Sequence, residues 1–282
     1  MRLSDRFEIA GGSVIGRDHL LYNKPNQDAY YYEVRDNIIA GVVCDGCGST
    51  PYSQVGSSLA SKMIIKKIID IYKKNPNEKL ILESCKNQLI DNLFFIAKQM
   101  SNNYLMAIRD YFLFTIVGFL ILYDRCLIFT IGDGIFSLNG EYTILTANGN
   151  APAYISYNFY DKKFFEEDFV RQFTNFTIQA ESSIDEVESL LIGTDGVSDI
   201  IQNKEYELPQ KKEKIGDISQ FWTNDLLFKK PDALNKRLHL INQSGELIDW
   251  ENKKVNRLSG CLRDDTTLIV IRKKKTDSTL NG

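Results

Sequence analysis

The chain has 282 residues, 43% hydrophobic and 25% charged, a composition of ordinary soluble globular proteins with length enough to bury a substantial core. Its 34 basic and 37 acidic residues leave a net charge of −3, so no basic field draws nucleic acid to it. The N-terminal MRLSDRFEIAGG lacks the apolar core of a signal peptide, and the most apolar run, residues 112–122, is too short to span a bilayer. No membrane association is expected, and five scattered cysteines fit a reducing cytoplasm.

In chain order, FEIAGGSVIG, DAYYYEVR and NIIAGVVC read as strands, with Asp36-Asn37 turning between the second and third. Val55, Leu59, Met63, Ile64, Ile68 and Ile71 recur at helical spacing over 53–72, and Asn75-Pro76-Asn77 breaks that helix. A second amphipathic helix is predicted over 78–100, with Leu82, Cys85, Leu89, Leu93 and Ile96 on one face. FLFTIVGFLILY, CLIFTIG, GIFSLNG and EYTIL then follow as closely spaced strands, the pattern of an antiparallel meander. Residues 147–170 are irregular and aromatic-rich, RQFTNFTIQA and SLLIGTD read as strands, and weak helical periods cover 221–227 and 233–241. TTLIVIR is the last strand, and KKKTDSTLNG (273–282) reads as a basic, disordered tail. The expected fold class is α+β, with residues 1–272 forming one domain.

VVCDGCGS carries two competing signals. Cys44 and Cys47 make a C-x-x-C pair before a helix, which suits a redox centre. Asp45-Gly46 between them puts a carboxylate and a glycine at a strand end, which suits a metal ligand on a tight turn. The second setting recurs: Asp133 follows LIFTIG, Asp195 follows SLLIGT, and Asp264 precedes TTLIVIR by one residue. Any one Asp-Gly is a common turn dipeptide. Several carboxylates gathered at one sheet edge would repel one another unless a hard cation such as Mg²⁺ or Mn²⁺ lay among them. Zinc is disfavoured, because there is no second C-x-x-C, and His19 and His239 are isolated.

NQDAYYY, VVCDGCGS, TIGDGIFSL, LLIGTDGVSD and RDDTTLIVI occur in the order and approximate spacing of five motifs of the metal-dependent type-2C protein phosphatases. The matching patterns are roughly N-E-D, D-G-H-G-G, G-D-S-R, S-D-G-L-x-D and D-N-x-T. The chain resembles that family, in its bacterial form, from about Ile9 to Arg272. The resemblance implies two antiparallel sheets packed face to face with helices outside. It implies that Asp45 bridges two cations, Mn²⁺ or Mg²⁺, that the Gly46 carbonyl binds the second, and that Asp195 and Asp264 complete the first. Asp28 would hold a water in the outer shell, and Asp133 would join Asp195 at a third, weaker site. Phosphoserine or phosphothreonine proteins would be the substrates, with a cognate kinase as partner. These motifs favour the carboxylate reading of VVCDGCGS over the sulfur one.

Three departures from the family pattern stand out. Cys47 replaces a histidine common after the Asp-Gly, Gln27 replaces the Glu before Asp28, and Asn23 stands where a phosphate-binding arginine is expected. Phosphate capture would then fall to Lys24, Arg17 or the metals. His19 reads either as a proton donor or as a structural hydrogen-bonder, and residues 147–170 either as a flap over the site or as plain packing. The expected function is a metal-dependent serine/threonine protein phosphatase. The alternatives are a pseudophosphatase acting as a regulatory binding module and a redox sensor built on Cys44 and Cys47.

Overall fold

The computed structural model describes residues 2–147, 152–209, 211 and 213–275. A short turn of helix, α1 (Leu3–Arg6), leads into β1 (Phe7–Val14), α2 (Arg17–Leu21), β2 (Ala29–Val34) and β3 (Ile39–Cys44). Three helices follow, α3 (Ser53–Tyr72), α4 (Glu78–Met100) and α5 (Tyr104–Tyr111), then β4 (Ile116–Ile121), β5 (Arg125–Ile131), β6 (Gly134–Leu138) and β7 (Glu141–Leu145). The chain continues through α6 (Glu167–Thr174), β8 (Thr177–Ser183), β9 (Ser189–Gly193), α7 (Val197–Gln202), α8 (Gln220–Thr223), α9 (Leu226–Lys229) and α10 (Ala233–Ile241). A hairpin of β10 (Gly245–Asp249) and β11 (Lys254–Leu258) precedes the last strand, β12 (Thr266–Lys273).

Two five-stranded antiparallel sheets result, ordered β1-β12-β9-β6-β7 and β2-β3-β4-β5-β8. Their strands alternate between two apolar environments. In β3, Ile39 and Val43 face the space between the sheets, whereas Ala40, Val42 and Cys44 face the helices. In β12, Ile269 and Ile271 face inward while Leu268 and Val270 face outward. Strands buried on both faces read as unbroken apolar runs, which is why TTLIVIR and NIIAGVVC show no polar alternation. Three clusters follow from this: one between the sheets, one beneath α3 to α5, and one beneath α7 to α10. The layers run helix, sheet, sheet, helix, as the sequence resemblance implied.

Several sequence expectations need correction. The supposed meander is split, because β4 and β5 pair in one sheet while β6 and β7 pair in the other. The chain crosses between sheets at Gly132-Asp133-Gly134, where Gly132 takes φ +89°, a conformation closed to most side chains. RQFTNFTIQA is not one strand: Arg171 to Thr174 finish α6, whose apolar Phe173 is buried, and β8 begins only at Thr177. The hairpin β10-β11 and helix α5 had no strong periodic signature. In α3 the buried face is Gly56, Ser57, Ala60, Ser61, Ile64, Ile65, Ile68 and Ile69, and Val55 is exposed. The basic segment from Lys273 starts inside β12, with Lys274 N donating to Arg6 O and Lys275 Nζ to Asp225; residues 276–282 lie outside the described residues.

Register places the strand ends that matter together. Ala29 opposes Cys44 in the second sheet, and Gly193 opposes both Leu268 and Ile135 in the first. The start of β2, the end of β3, the end of β9, and the starts of β6 and β12 therefore share one end of the sandwich. Cross-sheet hydrogen bonds close it: Thr194 Oγ1 donates to Asp28 Oδ2 at 2.7 Å, and Gln27 N donates to Asp265 Oδ2 at 2.6 Å. Phe119 on β4 lies fully buried between the sheets. Phe119→Ala should leave a void that neither sheet can collapse into and cost about 3–5 kcal/mol. The check is a lowered urea midpoint at unchanged m-value.

Candidate metal centre

The site is built from five strand ends. Asp45 follows β3, and its carbonyl accepts Thr115 N at 2.8 Å, which fixes the turn against the start of β4. Gly46 N donates to Gln27 O, and a Cβ at Gly46 would lie 2.6 Å from that oxygen and 2.9 Å from Ser53, so only glycine fits. Asp195 follows β9, Asp133 lies in the sheet-crossing turn, and Asp28 enters β2. Asp264 and Asp265 precede β12 but have different surroundings. Asp265 is buried, and its oxygens accept Gly16 N at 2.7 Å and Gln27 N at 2.6 Å. Asp264 keeps a side chain 60% exposed at a cleft. This split bears on Asp264 as the candidate ligand, with Asp265 as the buried neighbour.

The electrostatics tie these groups to one another. Burial, then Asp28, Asp195, Asp264 and Asp133, push the Asp45 carboxyl well above its ordinary value. Burial, then Asp265 and Asp195, raise Asp28 against the opposing hydrogen bond from Thr194. Burial and Asp264 raise Asp195, and burial and Asp195 raise Asp133 to about 6. Like charges crowded at a desolvated site favour protonation unless a cation balances them. The groups acting most strongly on Asp45 are all acidic, and all the donors are oxygen. That set suits a hard divalent cation such as Mg²⁺ or Mn²⁺.

A cleft of about 280 Å³ opens beside these groups, lined by Asp18, His19, Asp195, Gly196, Ser198, Asp199, Arg263 and Asp264. A cavity of about 370 Å³ between α4 and β8, bounded by residues including Lys86, Arg125 and Ile178, contains none of the candidate residues. His19 Nδ1 sits 2.8 Å from Asp265 Oδ2, and its Nε2 is 3.8 Å from Asp264 Oδ1 at the cleft wall. Atoms of His19, Asp264 and Asp265 lie within 4.8 Å of one another, yet Asp265 already accepts two backbone N–H groups and the imidazole. Its part is to hold this corner together.

Other sequence expectations fall on either side of this geometry. Asn23 is exposed at φ 52° just past α2, a left-handed position that asparagine tolerates, and it does not line the cleft. Lys24 Nζ donates to Gly48 O at 2.9 Å, beside the Asp45 turn. Cys44 is buried, and burial with Asp28 and Asp45 pushes its thiol well up, the reverse of what a reactive dithiol needs. The aromatic segment packs: Ile155 and Phe173 are buried, and the Tyr157 ring stacks on Phe165 at 5.3 Å. Burial, then a hydrogen bond to Cys47, push the Tyr154 phenol up beside the Asp45–Cys47 turn. Residues 148–151 of that segment lie outside the described residues.

Sequence reasoning missed Asp18, Asp199 and Arg263. Asp199 stands about one helical turn after Asp195, a spacing that could have flagged it. Its Oδ2 accepts Arg263 N at 2.6 Å. Arg263 was visible only as the residue before Asp264.

A protein phosphatase 2C family model matches residues 15–239. Among solved structures, the serine/threonine phosphatase Stp1 from Staphylococcus aureus superposes with a TM-score of 0.52 at 15% identity, covering 98% of each chain. A bacterial serine phosphatase superposes at 0.52 with 14% identity, covering 96% of this chain and 99% of the other. At these identities the likeness shows the fold. No curated protein matches the chain.

Two outcomes follow from the site's geometry. Asp265→Ala should strand the buried Gly16 and Gln27 N–H groups and cost about 2–4 kcal/mol, whereas Asp264→Ala should leave the thermal midpoint nearly unchanged. Equal losses in a calorimetric comparison would contradict the division between them. Burial and Asp195 push the Asp133 carboxyl in the folded protein up to about 6, from an ordinary 3.8. The folded state therefore binds the extra proton, and stability from this group is present below 3.8 and lost as pH rises through 6. In metal-free protein, Asp133→Asn should gain on wild type between about pH 4 and pH 7, by on the order of 2 kcal/mol after solvent screening. Parallel melting curves at every pH would refute that.

Proposed function

The chain belongs to the protein phosphatase 2C family, and from that premise we propose that it is a serine/threonine phosphoprotein phosphatase dependent on Mn²⁺ or Mg²⁺. The observation that carries the reading is the convergence of Asp28, Asp45, Asp133, Asp195 and Asp264, from strands of both sheets, into one mutually repelling cluster beside an open cleft. Asp45, Asp195, Asp264 and the Gly46 carbonyl would hold the cations, with Asp133 and Asp195 at a third, weaker site. Bound divalent cations neutralise a phosphoryl group and make water a competent nucleophile near neutral pH.

The chain's own groups supply orientation. Asp28, which takes the Thr194 hydroxyl on one oxygen and is also hydrogen-bonded by Thr267, would orient a water in the outer shell. Asp265 fixes the Gln27 backbone immediately before it, so the carboxylate cannot swing away. Nothing in this scheme requires a protein nucleophile. Ser53 and Ser57 donate to the Cys47 and Gln27 carbonyls, and Cys44 is held as a thiol by burial and by Asp28 and Asp45. Residues 1–272 would act as one catalytic domain, on phosphoserine or phosphothreonine proteins made by a partner kinase.

A non-catalytic regulatory role remains as a second reading because Asn23 is an exposed turn residue and Cys47 replaces the family histidine. Turnover decides between them. Wild type should hydrolyse p-nitrophenyl phosphate and phosphothreonine peptides with Mn²⁺ and lose activity in EDTA. Asp45→Asn and Asp195→Asn should each lower kcat by at least about 10³-fold. Their metal-free melting temperatures should equal or exceed that of wild type, because a repelling charge is removed. Cys47→Ser should keep most activity in reducing buffer. Wild-type activity in either aspartate variant, or a Cys47→Ser as inactive as Asp45→Asn, would overturn the reading.

A further inference from the structure

The sequence resemblance puts Asn23 where a phosphate-binding arginine is expected, and Asn23 is exposed and does not line the cleft. We infer that Arg263 takes that part and grips the phosphate of the substrate ester, an inference that rests on the phosphatase reading above. Among the described residues, Lys24 and Arg17 near the site are committed elsewhere, and the His19 imidazole is engaged by a carboxylate. Lys24 Nζ is tied to Gly48 O. Arg17 Nη1 donates to Gly260 O at 3.1 Å and its Nε to Asp18 at 3.2 Å, which fastens it to the base of the β10-β11 hairpin. His19 is drawn to buried Asp265. Arg263 is the one Lys or Arg among the described residues lining the cleft with Asp195 and Asp264.

Its attachment suits the task. The Arg263 backbone is fixed on both sides, with N donating to Asp199 Oδ2 at 2.6 Å and O accepting Asp18 N at 3.1 Å. The side chain is 68% exposed, its Nε lies 3.8 Å from Asp18 Oδ2, beyond hydrogen-bonding distance, and its charge also acts on Asp199. A rigid root and a loosely held head leave the guanidinium able to turn its two parallel N–H groups onto a phosphate. Neither Asn23 nor Lys24 reproduces that fork. The remaining charged walls, Asp18, Asp195, Asp199 and Asp264, are acidic. A phosphate dianion entering among them needs a cation that those carboxylates do not already saturate. Arg263, next in sequence to Asp264, hangs at that boundary.

The test compares wild type, Arg263→Ala, Arg263→Lys and Arg35→Ala with Mn²⁺ and p-nitrophenyl phosphate, using inorganic phosphate as competitive inhibitor. Arg35 is exposed at the turn between β2 and β3, at the far end of the sandwich from the cleft. Arg263→Ala should raise KM by roughly tenfold or more while kcat moves by less than about threefold, and the phosphate Ki should rise by the same factor as KM. Arg263→Lys should fall between, keeping charge without the fork, and Arg35→Ala should match wild type. With its side chain in solvent, Arg263→Ala should melt with wild type. If KM and Ki both stay within about twofold, or kcat alone falls, the inference is wrong and Arg263 serves only to balance Asp18 and Asp199. If wild type itself shows no turnover, the phosphatase reading fails. Broadening of the ³¹P signal of inorganic phosphate by Mn²⁺-loaded wild type, absent in Arg263→Ala, would still support the anion grip, and equal broadening would overturn it.

Discussion

The carboxylate of Asp265 accepts N–H groups from Gly16, at the end of β1, and from Gln27, before β2, so one buried side chain ties the first sheet to the second. Asp28 follows Gln27 and meets the Thr194 hydroxyl from the end of β9, which makes a second tie across the same end of the sandwich. His19 adds a third contact to Asp265 and closes α2 over the corner. Without these links the two sheets would still share an apolar interior, but nothing would fix how their polar ends face one another. Hydrophobic burial is non-directional. The direction comes from the few hydrogen bonds made to a charge that cannot leave.

That same end bears the main electrostatic cost of the fold. Asp28, Asp45, Asp133 and Asp195 each have a raised pKa, chiefly through burial and secondarily through neighbouring carboxylates. Such an arrangement lowers the stability of the metal-free chain, and a fold that keeps it has a use for the charge. The rest of the molecule offsets the cost with strands buried on both faces and three apolar clusters. Structure and chemistry are thereby separated: rigid strands end at the site, and the turns beyond them carry the carboxylates.

Much of this was legible in the sequence. The long helices α3 and α4 match the spans predicted from periodicity, and unbroken apolar runs marked β3, β9 and β12. What the sequence could not supply was which strand end meets which, because register and sheet order are long-range facts. The crossing at Gly132-Asp133-Gly134 looked like one more hairpin turn, yet it moves the chain between sheets and brings Asp133 to Asp195. In α3 the periodic reading holds at Leu59, Met63, Ile64, Ile68 and Ile71 but includes exposed Val55, and it passes over Ser57 and Ser61, polar by type but small enough to pack close. Arg263 went unnoticed because its significance lies in what lines the cleft around it. Asn23 was noticed, but its left-handed turn conformation could not be seen.

The central claim is that these carboxylates form one cation-binding centre, and direct titration of Mn²⁺ into the metal-free protein tests it without relying on turnover. Calorimetry in buffers of different ionisation enthalpy reads affinity and proton release together. Saturable binding of two ions is expected, with more protons released at about pH 5.5 than at about pH 7.5, since carboxyls raised by burial must ionise to bind. Asp45→Asn should abolish at least one of the two binding events. Weak, non-saturable binding in wild type, or an isotherm unchanged by Asp45→Asn, would contradict the claim.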